Sequence, residues 1–175
     1  GYIANGSGIS LSTSRKEGIM SVKAPATRKQ LRSFLGMTNF FRSFVPNYGN
    51  LAMPLNSLLS PSIPFVWTAN HQSVFEDIKC AIGNCAELAH IDYSKPLVVR
   101  TDASDTGIGG VLLQKHENVE KPIAFVSKSF SSAQSHYATY EKELLAVVYS
   151  LSKFSHYLAG VHFFLEVDHR NILFL

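Results

Sequence analysis

The sequence predicts an α/β chain: a mostly helical first half, followed by a three-stranded meander, a long helix and a fourth strand. Three observations carry this. Apolar residues recur at helical spacing between residues 27 and 82, and from residue 87 onward they gather in short β-branched runs. The runs are separated by turn formers such as Gly107-Ile108-Gly109-Gly110. With 175 residues, 46% of them hydrophobic, the chain is long enough for one domain or two small ones.

No apolar run approaches the roughly 18 residues a membrane span needs, and no basic-then-apolar leader opens the chain. The reading is a soluble, cytoplasmic protein. Cys80 and Cys85 lack a second pair at metal-finger spacing, and the seven histidines stand at no zinc-ligand spacing. A net charge of +3 and a pI of about 8.9 permit a polyanionic partner without demanding one. The start at Gly1 and the stop at Leu175 inside an apolar run read as cut ends.

Residues 1–9 read as a small hairpin around Asn5-Gly6-Ser7-Gly8, and Ala24-Pro25-Ala26 as a linker. Thr27 and Gln30 have the spacing of a capping box, so a helix starts there. Phe34, Met37, Phe40, Phe41, Phe44 and Val45 gather on one face of it, Leu35 falls off that stripe, and Arg28, Arg32 and Arg42 lie opposite. Such an arginine stripe suits either a phosphate backbone or a solvated helix face. Pro46-Asn47-Tyr48-Gly49 ends the helix, Pro54 sits in the first turn of a second, and Val74, Phe75, Ile78 and Ile82 mark a third.

The strand at 96–102 delivers Asp102 at its end, strands follow at 108–113 and 122–126, and a helix runs from 135 to 154. Its expected buried stripe is Tyr140, Leu144, Val147, Val148, Leu151 and Phe154, with Glu141 and Glu143 flanking it on opposite sides. Spacing does not choose between those two acids. The fourth strand, 162–167, is followed by Asp168. Two strand-end aspartates and a helical glutamate would make a hard-oxygen set of the kind magnesium or manganese takes if the strand order, which the sequence does not fix, brings them to one spot; otherwise they are solvated acids.

The chain resembles the reverse transcriptase polyprotein of gypsy-type long-terminal-repeat retroelements, from the end of the palm through the thumb into the RNase H domain. The matching residues are Leu31-Arg32-Ser33-Phe34-Leu35-Gly36-Met37-Thr38-Asn39-Phe40-Phe41-Arg42, Phe65-Val66-Trp67-Thr68 and Thr101-Asp102-Ala103-Ser104. Further along they are Pro122-Ile123-Ala124-Phe125, Tyr140-Glu141-Lys142-Glu143-Leu144-Leu145-Ala146 and Asp168-His169-Arg170. The resemblance implies a palm hairpin and linker over 1–25, a thumb-like helical segment over 26–86, and an RNase H-like domain over 87–175, truncated at its C-terminal end.

It further implies that Asp102, Glu143 and Asp168 are catalytic metal ligands for Mg²⁺ or Mn²⁺. It singles out Glu143 because the family pattern places it directly before Leu-Leu-Ala. The implied reaction is hydrolysis of the RNA strand of an RNA/DNA hybrid. The implied partners are that hybrid, gripped through Arg28, Arg32 and Arg42, and the remainder of the Pol polyprotein, with no membrane. A retroelement particle or the nucleus then joins the cytoplasm as a location. The polymerase centre of the family would precede Gly1, its fourth acid would lie beyond Leu175, and Val167 stands where the family shows Thr. Weak metal binding with little cleavage is therefore the expectation. The alternatives are a non-catalytic remnant that at most binds nucleic acid, and a chain kept from folding stably by an apolar end at Ile172, Leu173, Phe174 and Leu175.

Overall fold

The computed structural model describes residues 2–6, 8–85, 87–116 and 119–168; the apolar end at 172–175 lies outside them. Asn5 closes the first turn, its N–H donating to Gly8 O at 3.0 Å and its Oδ1 accepting from Gly8 N at 2.9 Å. That turn pairs β1 (Tyr2–Ala4) with β2 (Gly8–Leu11) as the expected hairpin. A short strand that the sequence did not announce, β3 (Leu88–Ala89), adds to β2 after the helices.

Helix α1 (Thr13–Met20) precedes α2 (Arg28–Asn39). The start of α2 follows its capping residues: Thr27 Oγ1 accepts from Gln30 N at 3.2 Å, and Gln30 Oε1 accepts from Ala26 N at 2.8 Å. Its end corrects the expectation of one helix through Val45. Pro46 disfavours the α region for the residue before it, and Val45 is extended at φ −118°, ψ 117°. Helical geometry thus cannot run through Val45; α2 itself ends at Asn39, and a 3₁₀ turn, Arg42–Phe44, follows. Phe41, Phe44 and Val45 remain buried, whereas Phe40 is exposed. Leu35 is buried rather than off the stripe, because α2 meets two neighbours. Phe34 packs on Phe75 with ring centroids 4.5 Å apart, while Leu35 shares a cleft with Tyr48, Asn56 and Leu59.

A second correction concerns Pro54, which lies inside α3 (Tyr48–Ser57) rather than in its first turn. Tyr48, Ala52 and Leu55 are buried on one face of α3, and their burial outweighs the missing proline N–H. Helix α4 (Ala69–Gly83) buries Phe75, Ile78 and Ile82 as expected. One apolar core joins these helices to Leu11 of β2 and Leu88 of β3.

The second half holds β4 (Leu97–Ala103), β5 (Gly107–His116) and β6 (Val119–Ser129) as an antiparallel meander. Helix α5 (Thr139–Leu158) then crosses to β7 (Phe163–Val167), parallel to β4, and the sheet order is β6-β5-β4-β7. Pro122 falls on the edge strand β6 at a register shift, where its missing N–H costs the ladder little.

The buried face of α5 is rotated from the expected one. Glu143, Ala146, Val147, Ser150, Phe154 and Leu158 face the sheet, while Tyr140, Leu144 and Val148 are exposed. Side-chain volume explains this. A β carbon on Gly110 would collide with Ser150 Oγ, so the helix sits close over a bare stretch of β5 and presents small residues there.

The helical half docks on the other face of the same sheet. Ser129 Oγ donates to Gly49 O at 2.7 Å, Gly49 N donates to Ser127 Oγ at 2.8 Å, and Arg42 Nη2 donates to Ser127 O. Asn50 and Asn47 lie where β carbons on Gly107 and Gly109 would stand.

Candidate metal and nucleic-acid site

Along β4, Leu97, Val99 and Thr101 are buried, with Leu97 and Val99 in one cluster with Phe154 of α5, whereas Arg100 and Asp102 are exposed. Strand alternation thus sends Asp102 to the face opposite α5. In the parallel ladder Arg100 pairs with Glu166 and Thr101 with Val167. Arg100 and Glu166 share a face, and their next same-face neighbours are Asp102 and Asp168.

Arg100 Nε donates to Glu166 Oε2 at 2.7 Å, and its Nη2 stands 3.1 Å from Glu120 Oε2. The hydrogen bond to Glu166 raises the arginine pKa further. These ion pairs are half exposed and add little to stability. They nevertheless hold a cation directly behind the two aspartates.

Asp102 and Asp168 line one cleft of about 410 Å³ together with Arg100, Thr101, Glu166 and Val167. Glu143 is not among the residues lining it; it is 5% exposed, on the sheet-facing side of the first turns of α5. Glu141 has a separate use, its Oε2 accepting from Ala138 N at 2.8 Å at the start of α5. Among the described residues no three His, Cys, Asp or Glu side chains gather as a metal-holding group. Two carboxylates on one wall fit a hard divalent cation that keeps much of its water. The Thr101 hydroxyl, on the α5 side of the strand, is buried and without a hydrogen-bond partner among the described residues.

The three arginines occupy different settings. Arg28 Nε donates to Leu58 O at 3.0 Å and Nη2 to Ile63 O at 2.5 Å. Arg42, on the 3₁₀ turn, donates to Ser127 O across to β6. Arg32 is exposed beside Asn39 and Asn56.

Sequence reasoning missed Arg100, Glu120 and Lys142. A signal for the first was present, because Arg100-Thr101-Asp102 and Glu166-Val167-Asp168 repeat one charge-x-Asp spacing on two strands. Lys142, 9% exposed, ties the start of α5 to the β4–β5 turn through Asp105 Oδ1 at 3.3 Å and lies over the Phe130 ring.

Comparison with known proteins supplies the kinship. Residues 67–165 match the family described as the RNase H-like domain found in reverse transcriptase. The Transposon Tf2-3 and Tf2-4 polyproteins of Schizosaccharomyces pombe are each 36% identical over 99% of this chain, which spans 13% of their length. A foamy viral protease-reverse transcriptase solved in complex with RNA/DNA hybrid superposes with a TM-score of 0.81 at 29% identity, covering 99% of this chain and 24% of that one. The same viral protein in complex with dsDNA gives 0.82 at 29% identity, covering 99% and 37%. The chain belongs to the family of RNase H-like domains found in reverse transcriptase, here in the form carried by a retrotransposon Pol polyprotein.

Proposed function

We propose that this chain carries the greater part of an RNase H site, in which Asp102 and Asp168 hold Mg²⁺ or Mn²⁺ against an RNA/DNA hybrid, with Glu143 as the third acid of the set. RNase H-like domains generally use divalent metals. The observation that carries the reading is the in-register pair of strand ends, β4 and β7, that brings Asp102 and Asp168 to one cleft. When bound, such a cation neutralises the attacked phosphate and lowers the pKa of water. The two aspartates bind it, and Arg100, pinned by Glu166 and Glu120, keeps the cleft floor in place.

In the full polyprotein the reaction is hydrolysis of the RNA strand. With Glu143 outside the cleft lining, Asp102 and Asp168 are the acids that face the ion there, so slow cleavage is the expectation. Incubating the isolated chain with hybrid and Mn²⁺ tests this: binding with slow or absent cleavage is expected, whereas rapid cleavage that Asp102→Asn abolishes would overturn the limit placed on the isolated chain. A second reading, a nucleic-acid-binding segment without catalysis, draws on the position of Glu143 outside the cleft lining.

We assign the 1–25 and 26–86 segments to palm and thumb by the same kinship, with the hybrid and the rest of the polyprotein as partners. Among the described residues no helix is long and apolar enough to cross a membrane. Within the arginine stripe, Arg32 is the residue open to phosphate. Arg32→Ala should lower the slope of log affinity against log salt by about 1. Arg28→Ala and Arg42→Ala should instead lower stability by about 1–2 kcal/mol, read by urea denaturation, because each leaves backbone carbonyls without their charged donor. Equal salt slopes for all four proteins would remove Arg32 from the interface.

A further inference from the structure

Asn47 has a left-handed backbone, φ 50° and ψ 27°, and is the one non-glycine residue with positive φ among those described. It starts α3, its carbonyl accepting from Asn50 N at 3.0 Å and Leu51 N at 3.1 Å. An asparagine in that position ordinarily turns its side chain onto the N2 or N3 amide, but here it makes no side-chain cap. The N2 amide, Gly49 N, is taken by Ser127 Oγ at 2.8 Å.

The carboxamide instead lies across Gly109, where a β carbon would collide with Asn47 Oδ1 and stand 3.8 Å from Nδ2. Gly109 is the cross-strand partner of Asp102. Asn47, Gly109 and Asp102 line a second cleft of about 150 Å³, which joins the Asp102–Asp168 cleft through the shared residues Arg100, Thr101 and Asp102. The side chain is exposed, and no hydrogen bond to its carboxamide is found among the described residues. The chain thus holds an open donor and acceptor beside Asp102, contributed by the helical half of the molecule.

We propose that Asn47 reads the RNA strand of a bound RNA/DNA hybrid by hydrogen bonding to a sugar 2′-hydroxyl next to the residue that Asp102 engages. A carboxamide offers both a donor and an acceptor, and so does a 2′-hydroxyl, the group that separates RNA from DNA at a given position. Asn47 is in this role a specificity residue, and the inference rests on the reading of the Asp102 cleft as a hybrid site.

Asn47→Gly is the informative variant, since glycine takes the left-handed backbone freely and removes only the carboxamide. Affinities of the 175-residue chain for an RNA/DNA hybrid and for duplex DNA of the same sequence are measured in Mg²⁺. The wild type should prefer the hybrid, and Asn47→Gly should reduce that preference by up to about tenfold, the upper size of one hydrogen bond between neutral groups, at an unchanged melting temperature. A hybrid whose RNA carries 2′-fluoro in place of 2′-hydroxyl should weaken wild-type binding and leave Asn47→Gly unaffected. If Asn47→Gly retains the wild-type preference, the proposal fails while the hybrid site stands. If the wild type binds both duplexes equally and Asp102→Asn alters neither, the site assignment fails with it.

Discussion

Truncating Phe154 to alanine lowers the stability of the chain by about 3–5 kcal/mol, the cost of removing a large aromatic ring from a packed core. Phe154 is 1% exposed and packs with Leu97, Val99, Leu112 and Ile123, so it joins α5 to three strands of the sheet. Neighbours drawn from the three adjacent strands β4, β5 and β6 are locked in the ladder and cannot collapse onto the vacancy, which sets the loss at the upper part of the range. Urea denaturation followed by circular dichroism measures it. A nearby control, Val148→Ala, removes an exposed side chain from the same helix and should change stability by less than about 0.5 kcal/mol. Equal losses at the two positions would mean that α5 is seated with the opposite face on the sheet.

The second large effect is at Asp102. Asp102→Asn should weaken Mn²⁺ binding at least tenfold, because it removes one of the two carboxylates on the cleft wall and leaves Asp168 to hold the ion with water. Without metal the same substitution should be neutral or slightly stabilising, since among the described residues it separates no ion pair and it removes one of two neighbouring negative charges. Opposite signs in the two conditions distinguish a ligand from a structural residue. A structural Asp102 would lose stability with and without Mn²⁺.

The sheet was legible because its strands are short β-branched runs closed by turn formers, and the order of strand, strand, strand, helix, strand follows from that alone. The position of Asp102 at a strand end and of Asp168 just past another was legible for the same reason. Their convergence was not, since it depends on β7 entering beside β4 in parallel register, which no local pattern encodes.

The seating of α5 was also hidden. Hydropathy ranked Tyr140, Leu144 and Val148 as core, whereas the bare backbone at Gly110 selected the face that carries Ser150 instead. Glu143 was left undecided against Glu141 by spacing, and the structure separates their surroundings: Glu141 caps α5, and Glu143 is buried on its sheet-facing side. The arginine stripe was drawn on a helix assumed to continue past Asn39; α2 ends there, and Arg42, on the following 3₁₀ turn, meets Ser127 instead.

The central claim is that Asp102 and Asp168 act on one ion. Mn²⁺ titration of the wild type, Asp102→Asn, Asp168→Asn and the double variant tests it most directly. The account predicts that either single substitution removes most of the affinity and that the double variant is little worse than either, the non-additivity of two groups sharing one ligand. Additive losses, or singles that bind Mn²⁺ as the wild type does, would contradict it.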